Sequence, residues 1–342
     1  MTGTKHLGRQ TVRFESPPSI LSAASVVGKK EGEGPLKDRF DILASDTKFG
    51  QDTWEKAESQ MQTLALQEAL KKADLSYASV DMLFGGDLLN QCIGTSFAAR
   101  GTDIPFLGLY GACSTMGESL SLAAMAVEGG YAEYAAAMTS SHFASAERQY
   151  RTPLEYGGQR TPTAQWTVTG AGAVILGQAG TPPFVRGFTS GKVVDLDVAD
   201  ANNMGAAMAP AFVDTVLAHF RDTGKRPSDY DLIVSGDLGQ VGLDLARDLL
   251  SREGLDLGNR LGDCGTMIYD REAQDVHAGG SGCGCSAVVF AGHLLKLLET
   301  GKLKHLLFCP TGALLSPVST QQGQSIPAIC HAVAVSSEGG CL

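Results

Sequence analysis

Apolar residues recur along the chain in two spacings, one typical of buried strands and the other of helices with one apolar face. Short continuous or alternating apolar runs predict strands at 9–14, 20–27, 80–86, 106–110, 133–142, 166–176, 230–235 and 305–309. Helical spacing predicts helices at 53–73, 92–100, 116–127, 204–220, 242–251 and, emerging from an apolar stretch, 287–300. Strands that alternate with helices in this way indicate an α/β protein.

The order helix, strand, loop, helix, strand occurs twice, which indicates an internal duplication of a βα unit. We therefore expect two pseudo-repeated halves, 1–180 and 181–342. Residues 29–51 read as an exposed connection, and 177–183 as the linker between the halves. The irregular stretch 148–165, rich in proline and glycine, has the length of a flap or a dimer loop.

Cys113 lies at a predicted corner, between the apolar run that begins at Phe106 and the helical spacing that begins at Met116. The amides that follow it, of Ser114, Thr115 and Met116, are the N–H groups of a helix start, which favour a thiolate or a bound carboxylate. The alternative is a small buried side chain in a tight turn, since free cysteine is often fully buried. The surrounding sequence GACSTMG favours the functional interpretation.

Composition excludes several classes of protein. The net charge of −10 and the lack of a long basic block argue against nucleic-acid binding. No apolar run reaches the 18 or more residues of a membrane span, and the N-terminus lacks the apolar core of a signal peptide, so a cytoplasmic-type soluble protein without a direct membrane span is expected. Eight scattered cysteines do not indicate a disulfide framework, and Cys283-Gly-Cys285 has the wrong separation for a zinc pair.

Polar residues at the end of the strand 133–142 are candidates for a ligand pocket, because ligands of open α/β sheets bind at the carboxyl ends of strands. These residues are Thr139, Ser140, Ser141 and His142. The alternative is that they hydrogen-bond the backbone of a turn.

Three motifs resemble the thiolase and beta-ketoacyl synthase superfamily over nearly the whole chain: the corner 111–114, the glycine strand 169–176 and the glycine-rich turn 279–287. The resemblance implies a thiolase-like five-layered αβαβα fold, a homodimer and a nucleophile-type position at Cys113. Condensing enzymes of this fold pair the cysteine with a histidine and an asparagine or second histidine. Here Gly236 or Asp237 stands at the histidine position and Ser281 at the asparagine position, which leaves Cys113 as a vestigial nucleophile without catalytic partners.

Within the superfamily the chain is most similar to a thiolase-like family of stage V sporulation proteins from spore-forming bacteria. That resemblance implies a non-enzymatic protein that binds dipicolinic acid, together with calcium, for its uptake into and release from spores. It further implies a peripheral position at the spore inner membrane, held by other stage V sporulation A membrane proteins. No cofactor is expected. The candidate ligand-binding residues are Cys113, Ser114, Thr139, Ser140, His142, Asp237, His277, Ser281 and Cys283.

Two other hypotheses stay open. The chain could be an acyl-transfer or condensing enzyme that uses Cys113 as nucleophile and His277 as base, although a lone histidine is more often structural. It could also be an architectural dimer with a vestigial pocket. An acidic cluster at Asp195, Asp197 and Asp200 fits calcium ligands and a solvated loop equally well.

Overall fold

The computed structural model describes residues 5–150 and 160–339 of the chain. The strands of this part are β1 (His6–Leu7), β2 (Thr11–Arg13), β3 (Ser19–Val27), β4 (Ile42–Leu43), β5 (Met82–Gly86), β6 (Phe106–Gly108), β7 (Tyr134–Ser141), β8 (Trp166–Thr167), β9 (Gly170–Gly177), β10 (Phe184–Thr189), β11 (Leu232–Ser235), β12 (Leu261–Asp263), β13 (Gly280–Ser281), β14 (His305–Cys309), β15 (Thr311–Ala313), β16 (Ala328–Cys330) and β17 (Ala332–Ser336).

The helices are α1 (Trp54–Lys72), α2 (Ile93–Ala99), α3 (Thr115–Glu128), α4 (Phe143–Tyr150), α5 (Met204–Thr223), α6 (Gly239–Arg252), α7 (Cys264–Ile268), α8 (Cys283–Val289), α9 (Leu295–Glu299) and α10 (Pro317–Gln321). A π-helical turn, Phe290–Leu294, joins α8 to α9. Polar caps fix several starts: Thr53 accepts from the Lys56 amide before α1, and Asn203 accepts from the Ala206 amide before α5.

Ten strands of the main sheet form two sets of five with the same order. The first set runs β3-β9-β7-β5-β6 and the second runs β10-β17-β14-β11-β12. In each set the three outer strands are parallel, and the next strand inward, β9 or β17, is antiparallel to its outer neighbour. The two sets meet where Ser19 of β3 pairs with Phe184 of β10. The predicted repetition of one βα arrangement is thus visible in the strand order.

Helices cover both faces of each set and produce five layers. Helix α1 packs on the outer face of the first set, and α5 with α6 lies outside the second. Helices α3 and α8 form the middle layer: both pack on the first set, α3 also contacts β10 and β17, and Phe290 stacks on Phe308 of β14 with ring centroids 4.7 Å apart. The five-layered αβαβα fold expected from the sequence is therefore observed.

An eight-residue repeat marks the equivalent strands of the two sets. Residues 81–88 read DMLFGGDL and span β5, and residues 231–238 read DLIVSGDL and span β11. The first aspartates play the same part: Asp81 accepts from the Glu133 and Tyr134 amides, and Asp231 accepts from the Lys304 and His305 amides. Each ties its strand to the neighbour, β7 or β14.

Two expectations about exposure need correction. The segment 29–51 is exposed only in part, because Glu31, Leu36 and Phe40 are buried within it. The run that begins at Phe106 is not a buried strand, since β6 is the edge strand of the first set and Leu107 is 44% exposed. Of the expected flap or dimer loop, α4 occupies the first residues and 151–159 lie outside the described residues. Within the described ranges, no helix has both the length and the hydropathy that crossing a membrane requires.

Candidate functional site

The corner at Cys113 is a 3-10 turn, Ala112–Ser114, that leads directly into α3. Ala112 has a positive φ of 50°, and the Cys113 side chain is 5% exposed. The backbone of Gly312 in β15 lies against the turn so closely that a Cβ there would meet the Gly111 carbonyl oxygen at 2.1 Å. Only glycine fits this position, and it lets β15 of the second half pack directly against the corner.

Asp237 reaches the same corner from the loop after β11. Its Oδ2 accepts hydrogen bonds from the Ser281 hydroxyl at 3.0 Å and the Gly282 amide at 2.9 Å. Gly282 has a φ of 102°, and a Cβ there would meet the Ser141 hydroxyl at 2.5 Å, so glycine is required for this contact. The residues at the two replaced partner positions, Asp237 and Ser281, are thus bonded to each other beside Cys113.

The electrostatics of this group oppose a thiolate. Burial, the Asp237 carboxylate and the Cys283 thiol raise the pKa of Cys113 well above its ordinary value. Burial also raises the pKa of Asp237 to about 7, against the opposing effect of hydrogen bonds from Cys113, Gly282 and Ser281. A buried carboxylate next to a buried thiol disfavours a second negative charge. At neutral pH the thiol is therefore protonated.

Asp263, at the end of β12, holds the loop that carries Asp237. Its Oδ2 accepts from the Ser235 hydroxyl and the Leu238 amide, each at 2.7 Å, and its Oδ1 accepts from the Gly239 and Thr266 amides. The last of these contacts also caps α7. Burial raises the pKa of this carboxyl to about 6, and the four donors lower it. The sequence analysis missed Asp263, which its position at a strand end, directly before Cys264, could have suggested.

Cys113 and Ser281 open into a cavity of about 240 Å³ between the two halves. Its apolar wall includes Leu88, Ala146, Met204 and Leu315. The polar uncharged lining residues, besides Cys113, are Tyr150, Gln165, Thr167, Asn202, Ser281, Thr320 and Gln321. Glu147 is the charged lining residue within the described ranges, and no lysine, arginine or histidine lines the cavity there.

Four of the nine predicted site residues meet at the corner: Cys113, Asp237, Ser281 and Cys283. Cys283 is fully buried beneath it, where its thiol donates to the Ser140 carbonyl at 2.9 Å.

The structure places the other five predicted site residues away from the cavity lining. The Ser114 hydroxyl donates to the Gly111 carbonyl, and the Thr139 hydroxyl to the Cys283 carbonyl. Ser140 donates to the buried carboxylate of Glu58 on α1. His142 contacts the Thr47 carbonyl at 2.7 Å, and His277 contacts Asp275 at 3.1 Å.

Most of the polar lining was not anticipated, because it comes from loops and short elements without a recognisable motif. Gln165 is the clearest case: its Nε2 donates to the carbonyls of Asp237 and Gly280, at 2.5 and 3.1 Å, while its side chain lines the cavity. The only available signal was its place at the start of the glycine strand segment. Asn202 directly precedes the Asn203 cap of α5, and Thr320 and Gln321 belong to the short helix α10.

The described residues include no group of three or more histidine, cysteine, aspartate or glutamate side chains arranged to hold a metal ion. In the acidic cluster suggested by the sequence, Asp195 accepts from the Asp197 amide and from the Ser325 hydroxyl, and Asp200 accepts from the Asn202 amide. These bonds are those of a loop that folds on its own side chains.

Two comparisons with sequences give the same result. The family model for stage V sporulation protein AD matches residues 8–336. The stage V sporulation protein AD of Bacillus subtilis (strain 168) is 46% identical over 336 residues, which cover 98% of this chain and 99% of that protein.

Comparison with solved structures finds the same architecture at low identity. The 3-oxoacyl-[acyl-carrier-protein] synthase III of Aquifex aeolicus VF5 is 13% identical, with a TM-score of 0.58 over 93% of this chain and 99% of that chain. A variant of Xanthomonas campestris OleA is 16% identical, with a TM-score of 0.60 over 96% of this chain and 100% of that chain. At such identities the likeness shows a thiolase-like fold and carries no activity across.

Proposed function

Since the chain belongs to the stage V sporulation protein AD family, we propose that it binds dipicolinate (pyridine-2,6-dicarboxylate) without catalysing a reaction on it. Bound as its calcium salt, the ligand would be carried into and out of bacterial spores by a complex at the spore inner membrane. The observation that supports binding over catalysis is the Asp237 carboxyl beside Cys113, where a condensing enzyme has a base that favours the thiolate.

The alternative, acyl transfer by Cys113, has little support from the contacts at the corner. A nucleophilic cysteine needs a lowered thiol pKa or an adjacent base, whereas here the pKa of Cys113 is raised. The Ser281 hydroxyl donates its hydrogen to Asp237, so it is not free to stabilise an oxyanion. His277 bonds Asp275 and does not line the cavity.

The charge of the cavity favours the calcium salt over the free dianion. Its described lining contains no cationic side chain, and the acidic side chain of Asp237 is bonded to Ser281 of that lining. A dianion buried there would meet no cationic side chain of the described lining, whereas the one-to-one calcium chelate is neutral. A cavity with apolar walls and a few amide and hydroxyl groups suits a flat aromatic ring with polar edges.

Two surface features support the proposed partners. The chain has an exposed apolar face next to the open edge of β6, made of Ile93, Phe97, Leu107 and Tyr110. A second copy related by a two-fold axis would pair this edge and cover this face, which supports a homodimer. Sedimentation of the Phe97→Glu variant as a dimer, at the concentration where the wild type is dimeric, would contradict this proposal.

Beside the cavity, the loop before α5 carries the exposed apolar residues Val193 and Leu196, and helix α10, which contributes Thr320 and Gln321 to the lining, carries Val318. The segment after α10 is joined to this loop by the bond from the Ile326 amide to the Val198 carbonyl, and the loop also contains the aspartates at 195, 197 and 200. An acidic and apolar surface complements the lysine- and arginine-rich cytoplasmic loops of membrane proteins. We assign the contact with stage V sporulation A membrane proteins to this surface, and Leu196→Asp should abolish co-purification with them while ligand binding persists.

Calorimetry with purified protein tests the ligand directly. We expect saturable heat with dipicolinate plus calcium and a much weaker response to dipicolinate alone. Gln165→Leu, which removes a polar group of the lining, should weaken binding about tenfold, whereas Gln240→Leu, at a partly buried position on α6 outside the lining, should leave it unchanged. If no heat is measured at millimolar ligand and Cys113 carries an acyl group after incubation with a thioester, the proposed binding function would be wrong and acyl transfer would take its place.

A further inference from the structure

Two buried acids that are not part of the site described above lie close to the cavity but outside its lining. Glu58 of α1 is 1% exposed, and Asp87, the residue after β5, is fully buried. The two carboxyl groups are near enough to repel each other electrostatically, and a Cβ on Gly94 would meet the Asp87 carboxyl at 3.2 Å and the Glu58 Cγ methylene at 3.5 Å. Two acids without an intervening cation are stable in a protein interior when they share a proton.

Hydrogen bonds hold each carboxyl group in place. The Glu58 carboxyl accepts from the Ser140 hydroxyl at 3.0 Å and from the Ser145 hydroxyl at 2.7 Å. The Asp87 carboxyl accepts from the Leu89 amide, the Thr95 amide and the Thr95 hydroxyl, at 2.6 to 2.9 Å.

Gln62 bridges the two sets of donors, because its Nε2 lies within hydrogen-bond distance of both Thr95 and Ser140. The pair is therefore one connected polar network inside an apolar layer.

Within the described ranges, no cationic side chain bonds either carboxyl group of the pair. Glu55 of the same helix adds a repulsion, and it is itself paired with Arg148 of α4. From the loop and from α8, the thiols of Cys92 and Cys283 face the pair. After the effect of burial, Asp87 raises the pKa of both thiols, and Glu58 raises that of Cys283 as well. Burial first and Asp87 second raise the pKa of Glu58 to about 8.

The pair is connected to the cavity through the segment 87–92. Leu88, next to Asp87, lines the cavity, and its carbonyl accepts hydrogen bonds from Tyr150 and Gln149. The same segment contains two successive non-glycine residues with left-handed backbone, Gln91 at φ 58° and Cys92 at φ 51°. Such backbone is strained and persists only where other contacts impose it. The bonds of Asp87 are among those contacts.

We propose that Glu58 and Asp87 form a proton-controlled latch on the cavity wall. While the pair holds its proton, Asp87 keeps the segment 87–92 in its strained form and Leu88 against the cavity. Loss of the proton leaves two buried carboxylates in one hydrogen-bond network, and their repulsion releases the segment. The latch regulates the site of the proposed function and rests on that proposal only for its effect on the ligand.

Hydrogen exchange of the ligand-free full-length chain tests the latch by itself. Amide exchange of residues 87–95, corrected for the intrinsic chemical rate, should rise at least tenfold between pH 6.5 and 9. Glu58→Gln is the uncharged equivalent of the protonated acid, so its exchange should be independent of pH over this range. Glu299→Gln removes an exposed carboxyl with a raised pKa that does not line the cavity, and it should behave like the wild type.

Equal pH dependence in the wild type and in Glu58→Gln would overturn the latch, as would constant exchange in the wild type. Asp87→Asn removes the same charge pair from the other side and must reproduce the Glu58→Gln result, which guards against an effect peculiar to one variant. Titration with calcium dipicolinate at both pH values is a separate arm. If amide exchange depends on pH as expected but calcium dipicolinate does not bind, the proposed ligand would be wrong and the latch would still be supported.

Discussion

Asp87 and Asp237 occupy equivalent positions in the two halves and have different surroundings. Both are the seventh residue of the same eight-residue repeat, both follow a parallel strand, and both are fully buried. Asp87 meets a second acid, Glu58, from a helix of its own half, whereas Asp237 meets Cys113 from the other half and Ser281 from its own. The repeat thus determines where the carboxyl lies, and the element packed against it determines its chemistry.

The loops that carry Asp87 and Asp237 are also held in place by different residues. Removing the residue that holds the Asp237 loop should have the largest effect on stability. Asp263 holds the loop of Asp237 through four donors, while Asp87 holds its own loop. Asp263→Ala leaves those donors buried and unsatisfied, so the free energy of unfolding in urea should fall by about 3–5 kcal/mol. Asp256→Ala, which removes an exposed turn bond to the Gly258 amide, should cost under about 1 kcal/mol.

The pH dependence of stability distinguishes the contribution of Glu58 in the first half from that of Asp237 in the second. Both carboxyl groups have raised pKa values in the folded protein, about 8 for Glu58 and about 7 for Asp237, so the unfolded chain loses these protons first as pH rises. Stability should therefore decrease between about pH 4 and pH 8, by about 2 kcal/mol or more in total.

In Glu58→Gln, the free energy of unfolding should stop decreasing near pH 7. In Asp237→Asn, it should decrease by less in total, but the decrease should still extend to pH 8. Denaturation at half-unit pH intervals measures both profiles. A wild-type profile that rises from pH 5 to pH 8 would contradict the assignment of both groups.

The reactivity of Cys113 should respond to one aspartate and not to the other. Asp237→Asn removes the charge that opposes the thiolate, so alkylation of Cys113 at pH 8 should accelerate about tenfold, equivalent to about 1.4 kcal/mol. Asp87→Asn is the matched control and should leave the rate within twofold. Mass spectrometry of the peptide that contains Cys113 measures this rate; equal rates in both variants would mean that Asp237 does not control the thiol.

The smallest expected effect on stability concerns the aspartates that begin the repeat in both halves. Asp81 and Asp231 each accept from two backbone amides of the neighbouring strand, at partly exposed positions. Asn at either position keeps one good acceptor, so each substitution should cost about 1 kcal/mol. The two values should agree within about 0.5 kcal/mol; a clear inequality would show that the repeat is not equivalent at this strand boundary.

The sequence predicted the positions of most strands and helices because their periodicity is local. It also brought Cys113, Asp237 and Ser281 together, through the resemblance of the motifs that carry them. Exposure of β6 depends on its place at a sheet edge, and the burial of Phe40 depends on a neighbouring helix, so neither was visible in the local pattern. Glu58 reads as one more polar residue of an amphipathic helix until α1 is packed on β7.

The middle layer has a consequence for the history of the chain. Helix α8 belongs to the second half in sequence, yet it covers strands β3, β7 and β9 of the first. A protein made of one such half would therefore have a sheet face open to water, and burying it would require a second polypeptide. If the two halves arose by gene duplication, their ancestor was an obligate dimer, and the fusion made permanent an association that previously depended on concentration.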